Sequence, residues 1–288
     1  MATARGAQLD PSASERAVPG LIDALAQAPS TRAVVVCGDR LLVEADAVAR
    51  VHVPLVPAGA VWAFLGRDEH GSAVLVAALP DDAAADPMAS LREIGSRLNE
   101  ADLAIALTAV ALGRWLTGYG FCPRCGAEAM LTSAGWSRRC VPCGTELFPR
   151  TDPAVIVAIQ DEQGERLLLG ANAAWQGRMF SCFAGFVEAG ESLETAIHRE
   201  IEEESGVRVH ALEYLGSQPW PYPQSIMLGF LATVVDADEV QPDGEEIVDA
   251  RWFTREEATR ALAGDGDVGF PSSVSIAHRL IRAWVDRA

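Results

Sequence analysis

Positive charge is scarce in this chain. Its 23 arginines and lysines face 40 aspartates and glutamates over 288 residues, for a formal net charge of −17. A surface of that sign gains little from phosphate backbones, which argues against broad nucleic-acid binding but leaves room for a local basic patch. Long apolar runs are missing too. The longest, Leu103 to Leu112, is too short to span a bilayer and is followed by Gly113-Arg114, so it reads as a buried helix. The first thirty residues carry Asp10, Glu15 and Asp23 and no continuous apolar segment, so no secretory leader is expected. The expectation is a cytoplasmic protein without membrane attachment.

What remains is ample for folding. A hydrophobic content of 49% and a charged content of 22% are those of globular chains, and the length allows two domains with cores of their own. Residues 1 to about 17 are Ala- and Ser-rich and aperiodic, which predicts a poorly ordered start. Ala33 to Val43 reads as a hairpin around Gly38-Asp39, Val51 to Leu65 and Ser72 to Leu79 as further strands, and Pro80 to Asp86 as a polar loop. Ser90 to Leu116 has helical spacing throughout. Residues 1–118 are therefore expected to form a small α/β domain. Cys37 reads as core, and His52 and His70 lack both partner and ligand spacing.

Cysteine spacing decides the next segment. Cys122-Pro-Arg-Cys125 and Cys140-Val-Pro-Cys143 are two CxxC knuckles, each followed by a glycine. Four thiolates at that spacing predict a closed tetrahedral Zn²⁺ site that is structural, with no open coordination position. Two disulfides or a redox CxxC suit a cytoplasmic chain poorly. Residues 119–147 thus read as a zinc ribbon bracing two domains, and Cys182 as an inert buried thiol.

Residues 148–288 alternate strands and helices. Ala154 to Ile159, Arg166 to Gly170, Val207 to Gly216, Ser225 to Val235 and Glu246 to Thr254 read as strands. Thr254 with Glu257 forms a capping-box signature, and Ser273 to Trp284 is an amphipathic closing helix. Pattern alone supports α/β or α+β. Within this region lies GFVEAGESLETAIHREIEEESGV, Gly185 to Val207. Leu193, Ala196, Ile197 and Ile201 give it an apolar helical face; Ser192 is the expected N-cap, and Gly206 the left-handed stop. Glu200, Glu203 and Glu204 fall at i, i+3 and i+4. Three carboxylates on the last turns repel one another and oppose the helix dipole, a cost that hard divalent cations such as Mg²⁺ or Mn²⁺ remove. A solvated acidic face is the bland alternative.

Gly185, Glu191 and the run Arg199-Glu200-Ile201-Glu202-Glu203-Glu204-Ser205-Gly206-Val207 together resemble the Nudix box at every specified position. Downstream, Ser217-Gln218-Pro219-Trp220-Pro221-Tyr222-Pro223-Gln224-Ser225 reads as a stiff, extended, proline-rich loop carrying an aromatic pair and polar donors. It is similar to the SQPWPFPxS array of the Nudix NADH pyrophosphatases, with Tyr222 where that group has Phe. An aromatic loop packed over the sheet is the structural alternative.

The resemblance implies a Nudix fold, a mixed sheet sandwiched between helices, preceded by the zinc ribbon and a smaller α/β domain. It implies metal-ligating roles for Glu200, Glu204, Glu246 and the Ala184 carbonyl, holding two or three Mg²⁺ or Mn²⁺, with Glu203 a water-mediated ligand or the base. Glu191 and Arg199 are implied as a shaping pair. Gln218, Pro219, Trp220, Pro221, Tyr222, Pro223, Gln224 and Ser225 are implied to contact a dinucleotide, and Ala277 to line a base pocket. Phe148 stands where the group has Tyr and lacks its hydroxyl, and Arg92 matches a substrate arginine loosely. The implied activity is hydrolysis of NADH or NAD⁺ to nicotinamide mononucleotide and AMP, by a homodimer. The alternatives are removal of an NAD cap from RNA 5′ ends by the same chemistry, hydrolysis of another substrate such as ADP-ribose, and, in a different class, a non-catalytic zinc-ribbon nucleotide-binding or interaction protein.

Overall fold

The computed structural model describes residues 9–83, 87–175, 178–235 and 240–287. The chain divides into two compact units. The first comprises Met1–Arg150 with Pro221–Pro223, and the second Thr151–Trp220 with Gln224–Ala288.

The first unit begins with a short helix, α1 (Leu21–Gln27), and a seven-stranded sheet. Its strands are β1 (Arg32–Cys37), β2 (Arg40–Glu44), β3 (Ala47–Val48), β4 (Val51–His52), β5 (Val61–Arg67), β6 (Ala73–Leu79) and β7 (Met88–Ser90). The sheet runs in the order β3-β2-β1-β6-β5, with β4 on β1 and β7 on β2. The expected hairpin is β1–β2. The expected single strand from Val51 to Leu65 is instead β4 and β5 separated by a 3-10 turn, because Pro54 and Pro57 interrupt the ladder.

The helical stretch expected over Ser90–Leu116 forms as two helices, α2 (Leu91–Ile94) and α3 (Glu100–Gly118). The break has a local cause. Asn99 accepts a hydrogen bond from the Asp102 amide and caps a new helix, while Arg50 pairs with the Asp102 carboxylate at 2.7 Å. α3 is long and apolar enough to cross a membrane, yet it buries Ile105, Ala109, Val110, Leu112, Trp115 and Leu116 against β1, β5 and β6. It is the core helix of this unit.

Residues 1–8 lie outside the described residues, but the expected poor order of the rest of that stretch is corrected. Asp10 exchanges two backbone hydrogen bonds of 2.8 Å with Arg67, and Glu15 binds the Arg67 guanidinium at 2.6 and 2.7 Å. An acid and an arginine far apart in sequence did what composition could not announce. Of the expected loop at Pro80–Asp86, residues 84–86 lie outside the described residues, and Asp81–Ala83 form a 3-10 turn.

The ribbon closes the first unit as β8 (Ala129–Thr132), β9 (Ser137–Cys140) and β10 (Glu146–Leu147), antiparallel in the order β10-β9-β8. Arg138 is buried beneath it and donates to the Ala129 and Leu116 carbonyls at 2.9 and 2.7 Å, tying ribbon to helix.

The second unit is built on a six-stranded mixed sheet. Its strands are β11 (Asp152–Gln160), β12 (Arg166–Asn172), β13 (Phe183–Phe186), β14 (Val209–Trp220), β15 (Ser225–Val234) and β16 (Ile247–Thr254). β11 lies parallel to β15, in the order β14-β15-β11-β12-β16, and carries β13 antiparallel. α4 (Leu193–Ser205) packs Ala196, Ile197 and Ile201 on one face of the sheet. α5 (Arg255–Leu262) and α6 (Ile276–Val285) bring Ala258, Ile276, Leu280, Ile281 and Trp284 to the other. This is the expected sheet between helices. The Thr254–Glu257 capping box is present in both directions.

The proline-rich stretch corrects one expectation. Ser217–Trp220 is strand, not loop: it completes β14, with Pro219 opposite Ile226. β14 is the edge of the sheet, the position where a residue without an N–H is tolerated. Only residues 221–224 form the connecting turn.

Candidate active site and zinc centre

The site is assembled by α4 and the strand before it. Ser192 caps α4 by accepting from the Thr195 amide at 3.1 Å, and Gly206 ends it at φ 71°, a conformation that excludes most other residues. Between these ends the helix presents Arg199, Glu200, Glu203 and Glu204.

Arg199 is the hub. Its guanidinium holds both Glu191 oxygens at 2.8 Å, reaches Glu200 at 2.8 Å and Glu203 at 3.1 Å, and donates to the Phe186 carbonyl at 3.0 Å. Glu191 in turn accepts from the Glu188 amide at 2.9 Å. The bidentate pair holds Glu191 down at about 2. One arginine thereby fixes the loop from β13 to α4 and neutralises part of the acidic cluster.

Gly185 explains why the preceding strand must approach so closely. A Cβ at this residue would lie 1.9 Å from the Glu200 carboxyl carbon and 2.1 and 2.2 Å from its oxygens. The Glu200 carboxylate therefore occupies the space that a side chain on β13 would fill. Burial, with Glu203 and Glu246 nearby, pushes the Glu200 pKa up, against the pull of Arg199.

Glu204 is the most confined acid of this cluster. It is 5% exposed, and its Oε2 has no hydrogen-bond partner among the described residues. Burial, then Glu246 and Glu200, raise it to about 8; the Ala184 amide pulls it down, and Asp243 adds a smaller push upward. An unpartnered, buried carboxylate oxygen amid other carboxylates is a poor arrangement for an apo protein and a good one for a divalent cation. The donor set therefore fits Mg²⁺ or Mn²⁺.

Glu246 comes from the opposite side, at the head of β16, and Asn172 donates to it at 3.5 Å. Its placement depends on Asp243, which sequence reasoning missed. The Asp243 carboxylate accepts from the Glu245, Glu246 and Ile247 amides at 2.8 to 3.2 Å. The Asp243-Gly244 dipeptide was the available signal: a turn with its own side-chain acceptor immediately before an acidic pair.

The substrate-binding candidates divide. Gln218 is buried, accepts from the Ile276 amide and donates to the Val274 carbonyl, each at 2.6 Å, so both ends of its amide position the start of α6. Gln224 donates to Asp152 at 3.0 Å, and Ser225 is buried. Ala277 is 1% exposed within the core, so its side chain lines no open surface. Tyr222 belongs to the first unit, where its hydroxyl accepts from the Leu91 amide at 3.2 Å and the Arg92 guanidinium covers its ring at 4.5 Å. The hydroxyl that distinguishes it from the group's Phe is thus used at the start of α2. Trp220 belongs to the second unit, so the expected aromatic pair is split between units. Pro219 and Pro223 are exposed, Pro221 is buried, and Phe148 is 61% exposed.

The four ribbon cysteines converge, their ligand atoms all within 4.8 Å of one another. Sγ separations are 3.6 Å for Cys122–Cys143, 3.3 Å for Cys125–Cys140 and 3.5 Å for Cys125–Cys143. Zn–S bonds of about 2.3 Å set tetrahedral edges of about 3.8 Å, so a small expansion admits the ion. Each knuckle closes identically: Gly126 donates to the Cys122 carbonyl and Gly144 to the Cys140 carbonyl, both at 2.8 Å. All six cysteines are free of disulfides.

Comparison with known proteins agrees with this geometry. A NUDIX domain matches residues 150–270, an NADH pyrophosphatase zinc ribbon domain residues 119–148, and an NADH pyrophosphatase-like rudimentary NUDIX domain residues 30–115. The chain belongs to the Nudix hydrolase family, in the NADH pyrophosphatase group that carries a zinc ribbon. Among its relatives, the NAD-capped RNA hydrolase NudC of Mycobacterium bovis is 40% identical over 273 residues, 91% of this chain and 85% of that one. The human NAD-capped RNA hydrolase NUDT12 is 39% identical over 199 residues, 66% of this chain and 43% of that one. A crystallised NUDIX hydrolase from Nitrosomonas europaea shares 25% identity, with a TM-score of 0.43 over 58% of this chain and 90% of its own.

Proposed function

We propose that this protein hydrolyses the pyrophosphate bond of NADH and NAD⁺, and cleaves the same bond in NAD-capped RNA, releasing nicotinamide mononucleotide and leaving a 5′-monophosphate on the RNA. The observation that carries the proposal is the convergence of Glu200, buried Glu204 and Glu246 beside an arginine-organised Nudix helix. Glu200, Glu204, Glu246 and the Ala184 carbonyl are the ligands we assign to two or three Mg²⁺ or Mn²⁺, and the ribbon cysteines to one Zn²⁺. Bound divalent cations would neutralise the bridging phosphates and stabilise the leaving phosphate.

The chain's own residues do the rest. Arg199 holds the loop from β13 and compensates charge that the acids would otherwise feel. Glu203, 62% exposed and tethered to Arg199, is the acid we assign to take a proton from the attacking water. The water oxygen bonds to phosphorus as the bond from phosphorus to the bridging oxygen breaks, giving AMP and reduced nicotinamide mononucleotide from NADH. Trp220 supplies a flat surface for base stacking. The working form is a homodimer in the cytoplasm, as the family resemblance implies.

Cap removal is favoured as a second activity by the relatives' own names. A non-catalytic nucleotide-binding role is disfavoured by the complete carboxylate set. Rates with Mg²⁺ or Mn²⁺ on NADH, NAD⁺, ADP-ribose and an NAD-capped RNA test the assignment. Preference for nicotinamide-bearing substrates is expected, and equal rates on ADP-ribose would refute the specificity. Trp220→Ala is expected to damage NADH hydrolysis far more than hydrolysis of a simple pyrophosphate ester, and equal losses would remove it from base recognition.

A further inference from the structure

The first unit carries an open groove that the acidic site does not use. It measures about 600 Å³ and is lined by Arg16 to Ile22, by Ala60, Val61 and Trp62 at the start of β5, and by Leu131 to Gly135 at the tip of the ribbon hairpin. That volume lies in the range of small-molecule sites, and its walls are mainly apolar, with Val18, Ile22, Val61 and Leu131 among them.

One charged side chain stands in this wall, and among the described residues no carboxylate pairs with it. The Arg16 guanidinium stacks 3.7 Å above the Trp136 ring. Its guanidinium donates to the Pro11 carbonyl at 3.5 Å, and its Nε is buried with no partner among the described residues. The neighbouring acid, Glu15, is committed to Arg67. Burial accordingly lowers the Arg16 pKa, with no carboxylate acting to restore it. A guanidinium stacked on an aromatic ring in the wall of an apolar groove, with its Nε unpartnered among the described residues, is suited to receive an anion.

The hairpin tip supports this. Ser133 and Ala134 adopt φ of 49° and 47°, unfavourable for residues bearing a Cβ. The tip is held there by Trp136, which donates to the Phe64 carbonyl at 2.7 Å. The same tryptophan therefore anchors the hairpin and carries Arg16.

We propose that this groove is a second binding site, for a small amphipathic monoanion with an apolar body and one carboxylate or sulfonate that pairs with Arg16. It is independent of the pyrophosphate chemistry.

The test uses the full zinc-bound chain and 1-anilinonaphthalene-8-sulfonate, an apolar dye with one sulfonate. One saturable site per chain is expected by fluorescence titration. Octanoate should displace the dye at concentrations at least ten-fold lower than 1-octanol, which has the same apolar body without the charge. Arg16→Gln should weaken dye binding at least ten-fold, as should Ala17→Trp, which fills the groove, with NADH turnover unchanged in both. Absence of a saturable site, equal displacement by octanol, or unaltered dye binding in both variants would overturn the proposal, the last marking an adventitious additive only. If either variant fails to fold, the comparison of octanoate with octanol on the native chain still decides.

Discussion

Replacing Gly185 by alanine perturbs the proposed active site by the smallest possible step, one methyl group. The added Cβ would stand 1.9 Å from the Glu200 carboxyl carbon, whereas ordinary contacts begin at 3.4 Å, so the carboxylate must shift by about 1.5 Å. What yields is the end of a flexible side chain, and the backbone here is not in the left-handed region. The cost to folding should therefore be modest, about 1 kcal/mol for the displaced carboxylate and its strained contact with Arg199. The cost to catalysis should be much larger. Misplacement of a positioned group by about 1 Å is worth roughly 100-fold in rate, or about 2.7 kcal/mol of barrier. NADH hydrolysis under saturating Mg²⁺ should thus fall at least about 100-fold, while thermal unfolding moves by only a few degrees. A Gly185→Ala enzyme with native turnover would refute the placement of Glu200 in the reaction. A variant that unfolds would refute the claim that only a side chain must move.

Glu204→Gln should abolish measurable turnover yet stabilise the protein without added divalent cation at pH 8. The sign follows from burial: Glu204 is raised from 4.5 to about 8, so its protonated form fits the fold. Its contribution to stability is complete below about pH 4.5 and declines by about 1.4 kcal/mol per unit as pH rises toward 8. Unfolding temperatures of both proteins across pH 5 to 8 check this, and a variant no more stable at the upper end would contradict it. Asp243→Ala removes the acceptor of three amides ahead of Glu246. It should lower kcat by about ten-fold with KM little changed and partial rescue by Asn; an unchanged kcat would show that Glu246 needs no such support. Cys140→Ser should release the zinc and lower the unfolding temperature by several degrees, because a structural tetrad supplies folding energy directly. Full zinc retention by elemental analysis would exclude Cys140 as a ligand.

The sequence by itself determined the elements whose causes are local. The Nudix helix from its Ser192 cap to its Gly206 stop is such a case, as are the capping box at Thr254 and the two cysteine knuckles. In each, the residues responsible lie within a few positions of one another, so spacing carries the geometry. Tertiary structure alone decided the rest. Only the folded chain brings Glu246 and Asp243 toward α4, aims Gln218 at α6 instead of a ligand, and hands Tyr222 to the first unit while Trp220 stays with the second. Sheet order likewise turned the proline stretch into an edge strand. The pairing of Glu15 with Arg67, which leaves Arg16 alone over Trp136, joins residues more than fifty positions apart. No periodicity encodes such partnerships, because they are chosen by burial and by which charges the fold leaves within reach.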